Sequence, residues 1–266
     1  MRIAICIKQV PDTWAVKKLV DGVLDRANVE PVINSIDEYA IEEGLLIAEK
    51  HGGHGPGTPN LVTLVSMGPT SAEAMLRKAL AFGADEAILI SDEKLAGSDA
   101  PSTAKVLAAL IREGNFDLVI CGTESTDARM SVIPAMLAAQ IGWAQLTFAN
   151  YISVNLECKT IEIRRITNES IDHISASFPA VISVVEKINE PRYPSFKEIM
   201  AAKKKTIAIR NLTDLGLDEV SVGSLGSWSQ VKSSLPSPPR QAGVLMNDEG
   251  SVGKVLVDFL KEKQII

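Results

Sequence analysis

Three short polar segments hold most of the chemistry this chain could do. They are Lys8-Gln9-Val10-Pro11-Asp12, Ser66-Met67-Gly68-Pro69 and Gly122-Thr123-Glu124-Ser125-Thr126-Asp127. Hydroxyls and free backbone N–H groups at the start of a helix suit a phosphate. Any one of the three could equally be a solvated connection. Three of them on one edge of a sheet favour a nucleotide site, since ligands of open α/β sheets bind beyond the carboxyl ends of the strands. Asp37 adds a carboxylate on the apolar side of a helical pattern, where it either complements the helix dipole or faces a ligand.

Other chemical equipment is thin. Cys6, Cys121 and Cys158 lie far apart and outside any CxxC spacing, so neither a zinc site nor a disulfide framework is expected. Cys6 and Cys121 read as small buried hydrophobes. His51 and His54 flank glycines, His173 stands alone, and no HExxH, GxSxG, Walker A or GxGxxG pattern occurs. The balance of 27 basic and 33 acidic residues, net −6, disfavours nucleic acid or an anionic membrane as the main partner. No apolar run approaches the ~18 residues a membrane span requires. A strand expected at 3–7 leaves no room for a signal or transit peptide, so the expected setting is a reducing, cytoplasmic compartment.

The elements that must position these residues alternate over the first 150 positions. Strands are expected at 3–7, 61–66, 87–91 and 117–121, and helices at 35–50, 70–82, 101–112 and 131–142. Ser35 with Glu38 and Thr70 with Glu73 have capping-box spacing. On the first helix Ile36, Ala40, Ile41, Gly44, Leu45, Ile47 and Ala48 share one arc, while Glu38, Glu42, Glu43, Glu49 and Lys50 share the other. Repeated β-α units of this spacing imply an α/β, doubly wound, mostly parallel sheet of Rossmann-like type. Residues 147–186 hold short β-rich segments without helices, clearest at 180–185, and suggest antiparallel additions to that sheet. The two prolines of 189–196 make an extended loop before a short helix at 197–202. Residues 218–240, rich in Ser, Gly and Pro, read as a linker or arm, and a helix is expected at 251–263.

Along almost its whole length the chain resembles the β subunit of electron transfer flavoproteins, in its bacterial, actinobacterial-type form. The resemblance rests on Ile7-Lys8-Gln9-Val10-Pro11-Asp12, on Asn34 with Glu38-Tyr39-Ala40-Ile41-Glu42-Glu43, on Met67-Gly68-Pro69 and on Arg77-Lys78-Ala79-Leu80-Ala81-Phe82-Gly83-Ala84-Asp85. It continues through Asp117-Leu118-Val119-Ile120-Cys121-Gly122 and the terminal Gln264-Ile265-Ile266. Most specific is Asn189-Glu190-Pro191-Arg192-Tyr193-Pro194-Ser195-Phe196, leading into Ile199-Met200-Ala201-Ala202-Lys203-Lys204-Lys205.

The resemblance implies a heterodimer whose α subunit holds most of one FAD, with this chain binding AMP structurally and closing over the flavin. By matching position, the nucleotide contacts are Cys6, Asn34, Ser35, Ile36, Asp37, Met67 and the segment Gly122, Thr123, Glu124, Ser125, Thr126, Asp127, Ala128, Arg129, Met130, Ser131, Val132 and Ile133. Thr13 and Ile36 match positions approaching the isoalloxazine. Residues 189–205 match a recognition loop for dehydrogenases, implying partner contacts at Arg192, Tyr193, Phe196, Lys203, Lys204 and Lys205. Phe196 matches its apolar anchor; from the residues alone it could equally be a staple buried under the following helix. Arg165 and Asp172 match a region that meets the α subunit. Residues 1–185 would be the nucleotide-binding α/β domain, and 186–266 the recognition loop, linker and C-terminal arm.

Two departures from the family pattern stand out. The charged signature of the β-rich region is thinned to Arg165, Asn168-Glu169-Ser170 and Asp172, which would weaken an ion pair to the α subunit. After Asp127, glycines expected to let backbone N–H groups approach a phosphate are replaced by Ala128-Arg129-Met130-Ser131. Either Arg129 supplies a side-chain contact instead, or AMP binding is lost.

The function implied is that of an electron carrier in fatty acid oxidation, passing electrons from acyl-CoA and related dehydrogenases towards a quinone oxidoreductase. No residue of this chain need act as acid, base or nucleophile, because the flavin does the redox chemistry. The alternatives are a bifurcating flavoprotein β subunit with a second FAD in place of AMP, and a stand-alone nucleotide-binding α/β module. An ATP-dependent ligase would need a Ser-Gly-Gly pyrophosphate loop that the chain lacks.

Overall fold

The computed structural model describes residues 1–20, 22–235, 238–240, 243, 250 and 252–266. They divide into two units, Met1–Lys232 and Ser233–Ile266. The first is built on seven strands: β1 (Arg2–Cys6), β2 (Leu61–Met67), β3 (Glu86–Ile90), β4 (Leu118–Gly122), β5 (Ala144–Ala149), β6 (Ala180–Val184) and β7 (Ile207–Arg210). Their spatial order is β7-β3-β2-β1-β4-β6-β5, and every neighbouring pair is parallel. Such a sheet must be covered on both faces, and its central strands β1, β2, β4 and β6 are correspondingly rich in buried apolar residues. On one face Ile3, Ile5, Leu64, Leu118 and Ile120 pack under α1 (Ser35–Lys50) and α2 (Ala72–Ala79). On the other, Ala4, Val65, Val119 and Cys121 pack under α3 (Ala100–Glu113) and α4 (Ile133–Ile141). The chain winds from β1 to β2 and β3, then crosses back to place β4 on the other side of β1. That reversal sets the carboxyl ends of β1 and β4 side by side, the position at which ligands of open α/β sheets bind, and the candidate site lies in this crevice position.

The expected doubly wound α/β fold is present, with several differences of detail. The antiparallel strands do not extend the main sheet. They form their own three-stranded sheet, Tyr151–Asn155, Thr160–Ile166 and Ile171–Ser177, whose Ile152, Val154, Ile161 and Ile163 are buried in the main core. The segment at 180–185 is not one of these additions. As β6 it runs parallel between β4 and β5, and its run of five fully buried residues is the mark of a strand covered on both faces. Neither expected capping box forms. Asn34, not Ser35, is the N-cap of α1, and its side chain is occupied elsewhere; α2 starts after Ser71 with no side-chain cap.

The first unit runs well past residue 185, because β7 adds an edge strand and Leu212, Leu215 and Val222 enter the second core cluster. The expected linker is therefore anchored over its first part. Its helical turns at Glu219–Ser221 and Gly223–Gly226 lead to backbone N–H groups of Trp228 and Ser229, which donate to the Asp99 carboxylate at 2.8 and 3.1 Å. Residues 236 and 237 of that segment lie outside the described residues, as does residue 251 of the closing helix. The helix of the second unit spans Val252–Glu262.

Val222 is fully buried and Val231 is mostly exposed, which separates anchored from unanchored parts of the segment. Val222→Ala is expected to lower the free energy of unfolding by roughly 2 kcal/mol. Val231→Ala should leave it unchanged within about 0.5 kcal/mol. Urea titration of both variants checks this.

Candidate functional site

At the sheet's switch point the backbone itself builds the site. β1 delivers Lys8 and β4 delivers Gly122, and the first turn of α1 drops Asp37 between them. The Lys8 N–H donates to the Asp37 carboxylate at 2.7 Å, and Asn34 Nδ2 donates to its other oxygen at 2.9 Å. A Cβ on Gly122 would collide with that carboxylate and with Ile36, so glycine is what allows α1 to approach β4 here. Asn34 then reaches across: its Nδ2 also donates to the Glu124 carbonyl at 2.9 Å, and its Oδ1 accepts the Thr126 N–H at 3.0 Å. This use of its side chain is why Asn34 leaves α1 without a side-chain cap.

Asp37 is buried, and burial pushes its carboxyl up to about 7, against the opposing pull of Asn34, Lys8 and the Gly122 backbone. Asp127 behaves in the opposite way. Burial works against its ionisation, but Lys8, Ser125 and Arg26 outweigh it and hold its carboxyl well below the usual range. Lys8 Nζ donates to Asp127 at 2.9 Å and to Ser125 Oγ at 3.1 Å, and Arg26 Nη2 donates to the other Asp127 oxygen at 2.5 Å. Lys17 Nζ donates to the Thr126 carbonyl at 3.0 Å. Lys17 and Arg26 thus tie the 12–30 segment to residues 122–127, with Lys8 bridging from the end of β1. Sequence reasoning placed Lys8 in the first polar segment but did not single out Lys17 and Arg26, since a basic residue in a polar loop carries no sign of a partner a hundred positions away.

The loop that follows keeps a glycine-like path without glycine. Arg129 and Ser131 have φ of 49° and 55°, the left-handed region where side chains are rarely accommodated. Glu124 braces it, accepting from Ser131 Oγ at 3.2 Å and lying 4.0 Å from the Arg129 guanidinium. Val132 then starts α4 without a side-chain cap, and the Thr126 hydroxyl is buried with no hydrogen-bond partner among the described residues. Cys6 and Met67, both partly buried, pack with Cys121 on the second core face; Cys6 and Cys121 are register neighbours on β1 and β4. The adjoining Cys6 thiol and burial push the Cys121 thiol up, away from the reactive thiolate. Thr13 and Ser35 are exposed, as are Ala128, Arg129 and Met130, while Thr123, Ile36 and Ile133 are partly buried.

A second cluster lies away from this crevice. Phe196 opens α5 (Phe196–Ala202), whose N-cap Ser195 forms a complete capping box with Glu198. Phe196 is 79% exposed and Tyr193 96%, so Phe196 is not a buried staple. Lys203 and Lys204 are exposed, but Lys205 turns inward and donates to the carbonyls of Gly83 and Ala84 at 3.0 and 2.5 Å. Arg192 is bound to Glu42 and Glu49 of α1. The expectation that Glu42 and Glu43 face solvent is therefore corrected: both are buried beneath the 189–192 segment, with Asn189 donating to Glu43 at 3.0 Å. Arg165 and Asp172 stand opposite each other in the three-stranded sheet and pair at 2.8 and 3.0 Å, so each already has a partner within the chain.

Between about pH 4 and 7 the folded chain holds a proton on Asp37 that the unfolded chain has released, so this residue makes stability fall as pH rises through that window. Asp37→Asn, which mimics the protonated form, should flatten the decline. Urea midpoints at about pH 5 and about pH 8 should differ less for the variant than for the parent.

Residues 21–215 match a family model described as the electron transfer flavoprotein domain. The chain is 43% identical over 267 residues to the electron transfer flavoprotein subunit beta of Mycobacterium tuberculosis, covering 99% of each chain. It is 35% identical to the protein of the same name from Thermoanaerobacterium thermosaccharolyticum, covering all of both chains. It is also 36% identical over 273 residues to the Caffeyl-CoA reductase-Etf complex subunit CarD of Acetobacterium woodii, again covering both in full.

Proposed function

The chain belongs to the electron transfer flavoprotein family, as a β subunit, and from that premise we propose that it is the nucleotide-binding, partner-docking half of a heterodimeric electron carrier. Its α subunit holds most of one FAD, and the flavin, when bound, supplies the one- and two-electron chemistry. This chain's residues bind, orient and dock. Electrons enter from acyl-CoA and related dehydrogenases and leave towards a quinone oxidoreductase.

The crevice between β1 and β4 fits an adenine nucleotide. The buried Thr126 hydroxyl has no partner within the described residues, and the loop before α4 retains a left-handed path at Arg129 and Ser131. An unsatisfied buried hydroxyl is costly unless a ligand completes it. AMP would be held by Cys6, the 34–37 segment, Met67 and the 122–133 segment, with the α4 N-terminus favouring its phosphate. Thr13 and Ile36 then lie on the side towards the α subunit's flavin. Trp14 and Val16, at 94% and 73% exposure beside this crevice, provide apolar surface for that subunit to cover. Among the described residues no helix is long and apolar enough to cross a membrane.

The observation that carries the carrier reading is the presentation of Tyr193 and Phe196 at the start of a capped helix, ringed by polar residues. A few such apolar anchors carry most of the affinity of small transient interfaces. Phe196→Ala in the heterodimer should raise the KM for reduction by a flavin dehydrogenase by about 30-fold, a loss of roughly 2 kcal/mol, and leave FAD content unchanged. Reduction kinetics equal to the parent's would overturn the docking assignment.

A further inference from the structure

Arg192 sits inside the recognition segment, yet its guanidinium is spent within the chain. Nε and Nη2 donate to the two oxygens of Glu42 at 2.7 and 2.9 Å, and Nη1 and Nη2 donate to the two oxygens of Glu49 at 2.6 and 3.1 Å. Four of its five N–H groups are therefore committed in two bidentate forks. The Arg192 backbone N–H adds a bond to Glu42 at 3.2 Å. Glu42's side chain is only 6% exposed, so this end of the clamp is shielded from screening. Three residues earlier, Asn189 Nδ2 donates to the Tyr39 carbonyl at 3.0 Å as well as to Glu43.

The far end of the segment is fixed independently. Arg77 of α2 donates to the carbonyls of Ala202 and Lys205, and Lys205 Nζ donates back to the Gly83 and Ala84 carbonyls. Between the two moorings stand Tyr193, Phe196, Ile199 and Met200, all exposed. Flexible loops that order only on docking pay conformational entropy at that moment, whereas a segment held at both ends has already paid it.

We propose that Arg192 is a positioning residue, not a contact to the dehydrogenase: its double fork onto Glu42 and Glu49 fixes the direction in which Tyr193 and Phe196 leave α1, so that the donor meets a preformed surface. The proposal rests on the docking role of Phe196 argued above. It assigns the pair Glu42 and Glu49, remote in sequence from the loop, a share in partner affinity that they exert without touching the partner. Lysine cannot replace arginine here, because a single ammonium cannot form two forks.

The test uses the intact heterodimer as the varied substrate of a flavin dehydrogenase, comparing the parent with Arg192→Lys, Glu49→Gln and Phe196→Ala. Glu49 is the exposed end of the clamp, so its variant keeps the proposal testable should Arg192→Lys fail to fold. The expected result is a KM raised about tenfold by Arg192→Lys and about threefold by Glu49→Gln, with kcat, FAD absorbance and the salt dependence of KM unchanged. The effects of Arg192→Lys and Phe196→Ala should also combine to less than their product, because a misdirected anchor has less affinity left to lose. If Phe196→Ala raises KM while Arg192→Lys and Glu49→Gln do not, the positioning role is overturned and docking stands. Fully multiplicative effects, or a shallower salt dependence in Arg192→Lys, would instead make Arg192 a direct partner contact and overturn the proposal. No effect of Phe196→Ala would overturn the docking reading itself, and a KM raised by the clamp variants alone would then trace to some other surface.

Discussion

A carboxylate buried where α1 meets β1 and β4 organises the rest of the molecule. Asp37 takes N–H groups from Lys8 and Asn34, and only a glycine at position 122 leaves it room. Burying that group is costly, as its displacement towards neutrality shows. What is obtained is a fixed junction at the one place where the strand order reverses. Because the same junction sets the origin of α1, it also sets the position of Glu42, Glu43 and Glu49 further along the helix. A rigid helix therefore references two surfaces, the crevice at its start and the exposed segment moored on its outer side, to a single point of the sheet.

The two surfaces use ion pairs in a similar way. At the crevice Lys8 and Arg26 share the single Asp127 carboxylate, and Arg26 and Lys17 thereby tie the segment after Asp12 to residues 122–127. On the proposed nucleotide reading, recognition there would fall to backbone N–H groups, the Thr126 hydroxyl and the end of α4. At the outer segment Arg192 is again paired within the chain, with Glu42 and Glu49, and the aromatic and aliphatic groups stand exposed beside Lys203 and Lys204. In both places ion pairs within the chain shape the surface. This suits a subunit that works on a redox centre held largely by another chain.

Much of the fold was legible in the sequence. Apolar runs separated by capped helical patterns gave the β-α alternation and the crevice loops, because both depend on local periodicity. The failures share one cause, dependence on distant contacts. Glu42 and Glu43 fall on the polar arc of α1 and look solvated until Asn189 and Arg192, some 150 positions later, are laid across them. Ser35 and Glu38 have the spacing of a capping box, but Asn34 diverts the start of the helix to Glu124 and Thr126. The strand at Ile207–Arg210 is too short to signal itself and exists through its pairing with β3. At the site, the glycines expected after Asp127 are absent, yet Arg129 and Ser131 keep the left-handed path that glycine would adopt. Sequence alone cannot show a conformation that persists after its usual residue has gone.

That retained path bears on the central claim, a carrier subunit whose crevice holds a structural adenine nucleotide. The most direct measurement is the content of flavin and nucleotide released when the co-purified heterodimer is denatured. One FAD and one AMP per heterodimer is the predicted result. Two FAD and no AMP, or one FAD with no nucleotide beside it, would contradict it.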